Sequence, residues 1–126
     1  MTSPNNIINK VKFNERGLVP VIAQDAINNE VLMMAWMNEE ALRETLNTKQ
    51  MYYFSRSRNE LWRKGQTSGH TQELVEIILD CDNDTILARI KQKDASCHTG
   101  RRSCFFKTIK NNDILINQDI IVPIED

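Results

Sequence analysis

The sequence predicts an α+β domain, a small mixed sheet with hairpins and one main helix, and three observations carry the prediction. Two pairs of apolar, β-rich runs are each joined by an Asx-containing turn, the pattern of β-hairpins. Between the pairs lies one stretch with a capping residue, an acidic first turn and apolar positions at helical spacing. The chain has 126 residues, enough to bury one core and too few for a second, so residues 1–126 are expected to form a single domain.

Residues Met1 to Lys10 are polar apart from Ile7 and Ile8, and suit either an arm or a short helix. Gly17 to Ala23 reads as a strand, and its Pro20 suggests an edge position, because proline cannot donate to a ladder. Asn28 and Asn29 mark a turn into a second strand, Val31 to Met37. Asn38 then caps a helix whose first turn holds Glu39 and Glu40, with Ala41, Leu42, Thr45 and Leu46 on one face and an end near Lys49. Met51 to Ser57 suits a strand that runs from the core into a polar exit bearing Arg56 and Arg58. Glu60 to His70 mixes glycine, hydroxyl and basic residues and reads as a functional loop able to cradle an anion. Glu73 to Asp80 and Thr85 to Gln92 form the second hairpin, with Asp82, Asn83 and Asp84 at its tip. Phe105 to Ile109 suits another strand, and residues 110–126 form a tail with apolar segments.

Composition bounds the function. The formal net charge is -1, so nothing pulls the whole molecule toward nucleic acid or a membrane, and any affinity for phosphate must be local. No apolar stretch approaches the ~20 residues of a membrane span, since Val31 to Met37 breaks off into Asn38 and two glutamates. Three cysteines is an odd number, and the chain opens without a basic region followed by an apolar run. A reducing cytoplasm is expected, with thiols or metal ligands rather than disulfides.

The chemistry concentrates between Asp80 and Cys104. Cys81, Cys97 and Cys104 all fall there, at a spacing unlike the paired C-x-x-C of a structural zinc ribbon. Any one cysteine is as readily a small buried apolar residue. Cys97 and Cys104, however, flank a polar, cationic loop with His98, Arg101 and Arg102, a poor place to bury a thiol and a good one to favour a thiolate. Three protein ligands leave a fourth zinc position open, the catalytic pattern, in which the metal acidifies a water. Only two histidines occur, His70 and His98, and both lie in polar loops as candidate proton carriers. Asp80, Asp82 and Asp84 alternate, so an extended backbone would turn all three to one side and Cys81 to the other. That carboxylate crowd suits magnesium.

Four ordered motifs carry a family resemblance. They are Ser55-Arg56-Ser57-Arg58; Leu61-Trp62 with Lys64-Gly65 and Thr67-Ser68-Gly69-His70; Asp80-Cys81-Asp82-Asn83-Asp84; and Cys97-His98-Thr99-Gly100 leading to Arg102-Ser103-Cys104-Phe105. Together, over about residues 17–109, they resemble the phosphoribosyl-AMP cyclohydrolases of histidine biosynthesis. The resemblance implies an intertwined α+β homodimer and hydrolytic opening of the adenine ring of N1-(5-phosphoribosyl)-AMP between N1 and C6. It further implies Zn2+ held at the subunit interface by Cys81 of one chain with Cys97 and Cys104 of the other, and Mg2+ held by Asp80, Asp82 and Asp84. His98 or His70 would manage protons, and Arg56, Arg58, Lys64, Thr67, Ser68 and Arg102 would grip the substrate. The pyrophosphohydrolase domain fused to this one in some organisms is not expected here, leaving the preceding step to a separate protein.

Two other classes fit less well. A zinc nucleobase deaminase would suit the thiolates, but its H-x-E and P-C-x-x-C signature is missing. A phosphate-ligand module with a purely structural zinc differs in that its metal would keep no exchangeable water. Nucleic-acid binding is disfavoured by the acidic balance and the few aromatics.

Overall fold

The structure, a computed structural model, describes residues 4–123. A short helix, α1 (Pro4–Ile8), precedes a hairpin of β1 (Val19–Asp25) and β2 (Val31–Met37). The main helix, α2 (Glu39–Thr48), leads to a two-stranded ribbon of β3 (Tyr52–Ser55) and β4 (Glu60–Arg63). A second long hairpin, β5 (Gln72–Leu79) and β6 (Ile86–Gln92), completes the sheet, and a last small hairpin, β7 (Lys107–Lys110) and β8 (Asp113–Ile116), stands apart. The first and last three residues of the expected arm and tail lie outside the described residues.

The locally encoded features appear as expected. Asn38 accepts a hydrogen bond from the Ala41 amide at 2.8 Å, and Lys49 ends α2 in a left-handed conformation. Asn38→Ala is therefore expected to cost about 1 kcal/mol, read as a lower urea midpoint at unchanged slope. Ala41, Leu42 and Thr45 form the buried face of α2, where the Thr45 hydroxyl donates to Ala41 O at 2.8 Å and accepts from the Tyr52 amide at 2.9 Å. One threonine thereby ties the helix to β3.

The four-stranded sheet has the order β2-β1-β6-β5, antiparallel except for the parallel β1–β6 pair. This mixed pairing corrects the edge reading of Pro20: β1 is an interior strand. The proline is tolerated because pairing with β6 begins only at Val21, so its missing N–H lies outside that ladder. Alternate residues of β1 and β6 (Val19, Val21, Ala23; Ile86, Ala88, Ile90) join Leu32, Met37, Leu42, Met51 and Tyr53 in one buried cluster. The opposite face carries one apolar row beside a polar one of Gln24, Arg89 and Glu76. Met34, Ile22, Leu87 and Ile78 lie in register across all four strands, and the outermost pair are 42% and 43% exposed.

Three further expectations change. Glu60 to Arg63 is strand rather than loop, because Leu61 and Trp62 pair with Phe54 and Tyr53 and pack on the core; only Lys64 to His70 remains loop. The strand expected from Phe105 begins at Lys107, and part of the tail returns to pair with it. Residues 80–84 are a turn and not an extended run. The Asp80 carboxylate accepts from the amides of Asp84 (3.1 Å) and Thr85 (3.2 Å), and Asn83 has φ +65.

Candidate active site

The loop after β6 carries Cys97, His98 and Cys104, and it is fastened at both ends. The Cys104 amide donates to Leu32 O at 2.7 Å, and the Ser103 hydroxyl donates to Val31 O at 2.8 Å, so β2 holds one end. The amides of Ser96 and Cys97 donate back to Arg102 O and Arg101 O at 3.0 and 3.1 Å, closing the loop on itself. Arg102 locks it. Its guanidinium pairs with Asp25, faces Glu30 at 3.7 Å and donates to Gln92 O and Asp94 O at 3.0 and 2.9 Å. The Asp25 carboxylate is 1% exposed. Burial opposes its charge, but the amides of Ile27 and Asn28 and the guanidinium outweigh that, so its pKa lies below the usual range.

This arrangement makes neighbours of the two cysteine side chains, close enough for each to shift the other's acidity. Cys104 is pushed up to about 11, first by burial and then by the neighbouring charge of Cys97. Cys97 moves the other way: burial works against its thiolate, but the Thr99 hydroxyl donates to its sulfur at 3.1 Å and, with Cys104 and Lys64, lowers its pKa. The Lys64 ammonium donates to Ser96 O beside both sulfurs. Desolvation pulls its pKa down while the two thiolates pull it up, and desolvation prevails. Ser96 Oγ is buried with no hydrogen-bond partner among the described residues, and it neighbours Cys104.

Beside this pair opens a cavity of 260 Å³ lined by Lys64, Ser68, His70, Cys97 and His98, among others. Both expected proton carriers therefore line one space with Cys97. Thr67 is exposed next to Ser68 on the same loop. A buried relay supports that loop from behind: Tyr53 Oη donates to Gln72 at 2.6 Å, Gln72 to Gln92 at 2.7 Å, and Gln92 to His70 O at 3.3 Å. Burial raises the Tyr53 pKa, so the hydroxyl stays a donor.

Arg56 and Arg58 lie elsewhere, with Arg16 and Trp36 in a wider groove of 620 Å³. Arg56 stacks on the Trp36 ring, 4.8 Å from its centroid. Trp62 joins the two depressions: it lines the groove, packs on Tyr53 at 5.3 Å and has the Lys64 ammonium 5.7 Å from its ring. Arg102, expected to grip substrate, is engaged instead by Asp25, Glu30 and two carbonyls of its own chain.

The metal candidates divide between two ends of the sheet. Among the described residues, Asp80, Asp82 and Asp84 are the one group of three metal-ligand side chains gathered within 4.8 Å. Their crowding shows in Asp84, raised first by its hydrogen bond with Asp82, and in Asp80, where the amides of Asp84 and Thr85 outweigh desolvation and lower the pKa. Cys81 is exposed on that same turn. The turn precedes β6 and the Cys97 loop follows it, so the strand separates them by roughly 20 Å at about 3.3 Å per residue. Within one chain the donor set therefore fits half a zinc site: two adjacent sulfurs, a hydroxyl on one and a cation beside both. Sequence reasoning missed Asp25, Ser96 and the Tyr53–Gln72–Gln92 relay. Only Asp25 left a trace, as a carboxylate at the in-facing end of an alternating strand.

Comparison with known proteins agrees with these motifs. Residues 33–106 match the family model described as phosphoribosyl-AMP cyclohydrolase. The phosphoribosyl-AMP cyclohydrolase of Acidiphilium cryptum is 53% identical over 114 residues, covering 90% of this chain and 97% of the relative. That of Thiobacillus denitrificans is 58% identical over 107 residues, covering 84% and 80%. A histidine biosynthesis bifunctional protein of Thermoanaerobacter pseudethanolicus is 50% identical over 114 residues, 90% of this chain and 53% of that longer protein. With the family model spanning more than half of the chain and such identities over nearly all of it, the chain belongs to the phosphoribosyl-AMP cyclohydrolases, hydrolases of histidine biosynthesis.

Proposed function

We propose that the protein is a zinc-dependent cyclohydrolase that opens the adenine ring of N1-(5-phosphoribosyl)-AMP at the N1–C6 bond, working as a homodimer. The observation that carries the reading is Cys97, with Cys104 as its neighbour, opening into the cavity that Lys64, His70 and His98 also line. Zinc, when bound, supplies Lewis-acid activation of water near neutral pH. The rest is work for the chain. A water oxygen joins C6, the N1–C6 bond breaks, and N1 departs with a proton that His98 or His70 is placed to deliver. Lys64 faces the same space with one donor already on Ser96 O, leaving others for substrate oxygen. Arg56 and Arg58 in the groove, and Thr67 and Ser68 on the loop that borders the cavity, are the candidates for the substrate phosphates.

Two features support the dimer. Cys81 does not reach Cys97 and Cys104 within its own chain, and the sheet leaves an apolar row uncovered from Met34 to Ile78. A second copy on that face would bury the row and offer the partner's Cys81 as third sulfur. Magnesium would take Asp80, Asp82 and Asp84, whose crowded charge it offsets. Among the described residues no helix is long and apolar enough to cross a membrane.

The test is direct. The purified protein is expected to open N1-(5-phosphoribosyl)-AMP, to lose that activity on zinc chelation and regain it with zinc, and to depend on magnesium. It should leave AMP and adenosine intact. Ammonia released from AMP would indicate deamination, and ring opening that survives complete zinc removal would end the metal reading.

A further inference from the structure

The cavity has a wall that belongs neither to the matched family region nor to any expected site residue. Val122 and Pro123, near the end of the described chain, line it together with Lys64, His70 and His98. They are held there by a series of contacts with the cysteine loop. The amides of Ile121 and Val122 both donate to Gly100 O, at 2.9 and 3.1 Å. Arg101 Nε donates to Gln118 O at 3.0 Å, and the Arg101 guanidinium lies 4.1 Å from the centroid of the Phe106 ring. The Gln118 side chain bridges the two halves of the molecule, accepting from the Ser103 amide and donating to Glu30, each at 3.2 Å.

Gly100 makes the close crossing possible. It has φ +87, and a Cβ there would lie 2.1 Å from Val122 O and 3.0 Å from Ile120 Cγ2, so no side chain fits. Arg101, meanwhile, is committed to the tail. The contacts fall on the residues directly after His98, so the position of the tail and that of the histidine loop are mechanically joined.

We propose that residues 118–123 form a substrate-contacting wall of the active site. Val122 and Pro123 provide the apolar face for the flat purine of the substrate and keep water from the space beside Lys64 and His98. Gln118 is the positioning residue that sets the wall against the loop. The chemistry fits the ligand: a heteroaromatic base needs apolar contact on its faces, and apart from the small Ala95 and the Cys97 thiol the other side chains lining this cavity are polar or cationic. Water exclusion also strengthens every charge interaction inside.

This inference rests on the proposed reaction, and the experiment separates the two. Wild type, Val122→Ala, Val122→Glu and Gln118→Ala are assayed on N1-(5-phosphoribosyl)-AMP, with zinc content and circular dichroism measured on each. Val122→Ala is expected to raise KM several-fold and Val122→Glu by on the order of tenfold or more, from the lost apolar contact and an added carboxylate. Gln118→Ala should raise KM in the same direction. In all three, kcat should change less than KM, with zinc content and spectrum as in wild type. Wild-type turnover with unchanged KM in both Val122 variants overturns the wall alone. A fall in kcat and zinc content at constant KM also overturns it, by assigning the tail a structural role. No turnover by wild type overturns the reaction and the wall together.

Discussion

If Cys97 holds zinc as proposed, Cys97→Ser is expected to lower kcat/KM by on the order of a thousandfold, because losing a metal ligand would remove several kcal/mol of transition-state stabilisation at about 1.4 kcal/mol per decade. Cys81→Ser should do the same although the two residues stand far apart in one chain. The distinctive result comes from mixing. If each site takes Cys81 from one protomer and Cys97 with Cys104 from its partner, a dimer of one Cys81→Ser and one Cys97→Ser chain has one intact site. Random exchange then restores about one quarter of wild-type activity, since half of the dimers are mixed and each has one of two sites. A mixture of Cys97→Ser and Cys104→Ser restores nothing, because both lesions fall in the contribution of one protomer. Recovery in the second mixture, or none in the first with subunit exchange verified, would sink the shared site.

Asp25→Ala is expected to have the largest effect on stability. It strips the partner from a guanidinium that holds the cysteine loop to β1 and β6, and the loss costs about 3 kcal/mol, the low end for a buried pair because the Arg102 side chain is 26% exposed. The thermal midpoint should fall by roughly 10 °C or more for a chain of this size. The pair also predicts a pH dependence. The folded pKa of Asp25 lies below its unfolded value, so the folded state favours the ionised form. Its contribution is thus fully present above the unfolded value of ~3.9 and fades as pH falls through the lower folded value. Asp25→Asn should therefore be less stable than wild type at pH 7, with the gap narrowing below about pH 4. Arg102→Lys should recover only part of the stability, since an ammonium lacks the fork that reaches Asp25 and two carbonyls together. A drop of less than about 1 kcal/mol for Asp25→Ala would show that the pair does not anchor the loop.

What was legible in the sequence was local. Asn38 at the head of α2, the Asx turns of both hairpins and the alternation of β1 each depend on neighbours a few residues away, so the residues themselves carry the instruction. The candidate site was legible by chemical type: two thiols flanking a loop with two arginines, and three aspartates at alternate positions, single out one segment of the chain. Pro20 was misread because edge or interior is a property of the neighbouring strand. That neighbour, β6, pairs in parallel from far along the chain.

The sequence by itself determined the family, the residue types of the candidate chemistry and two of the four hairpins. Tertiary structure alone decided which of those residues meet. Asp80 to Cys104 reads as one segment carrying two metal chemistries, but β6 runs through its middle and carries the aspartates and Cys81 to the end of the sheet away from Cys97 and Cys104. An extended strand separates what the chain places close together, while the Asp25–Arg102 pair and the Gly100 crossing bring together what it places far apart. The reason is physical: spacing along a chain sets local geometry, and only long-range pairing and buried charge set position in space.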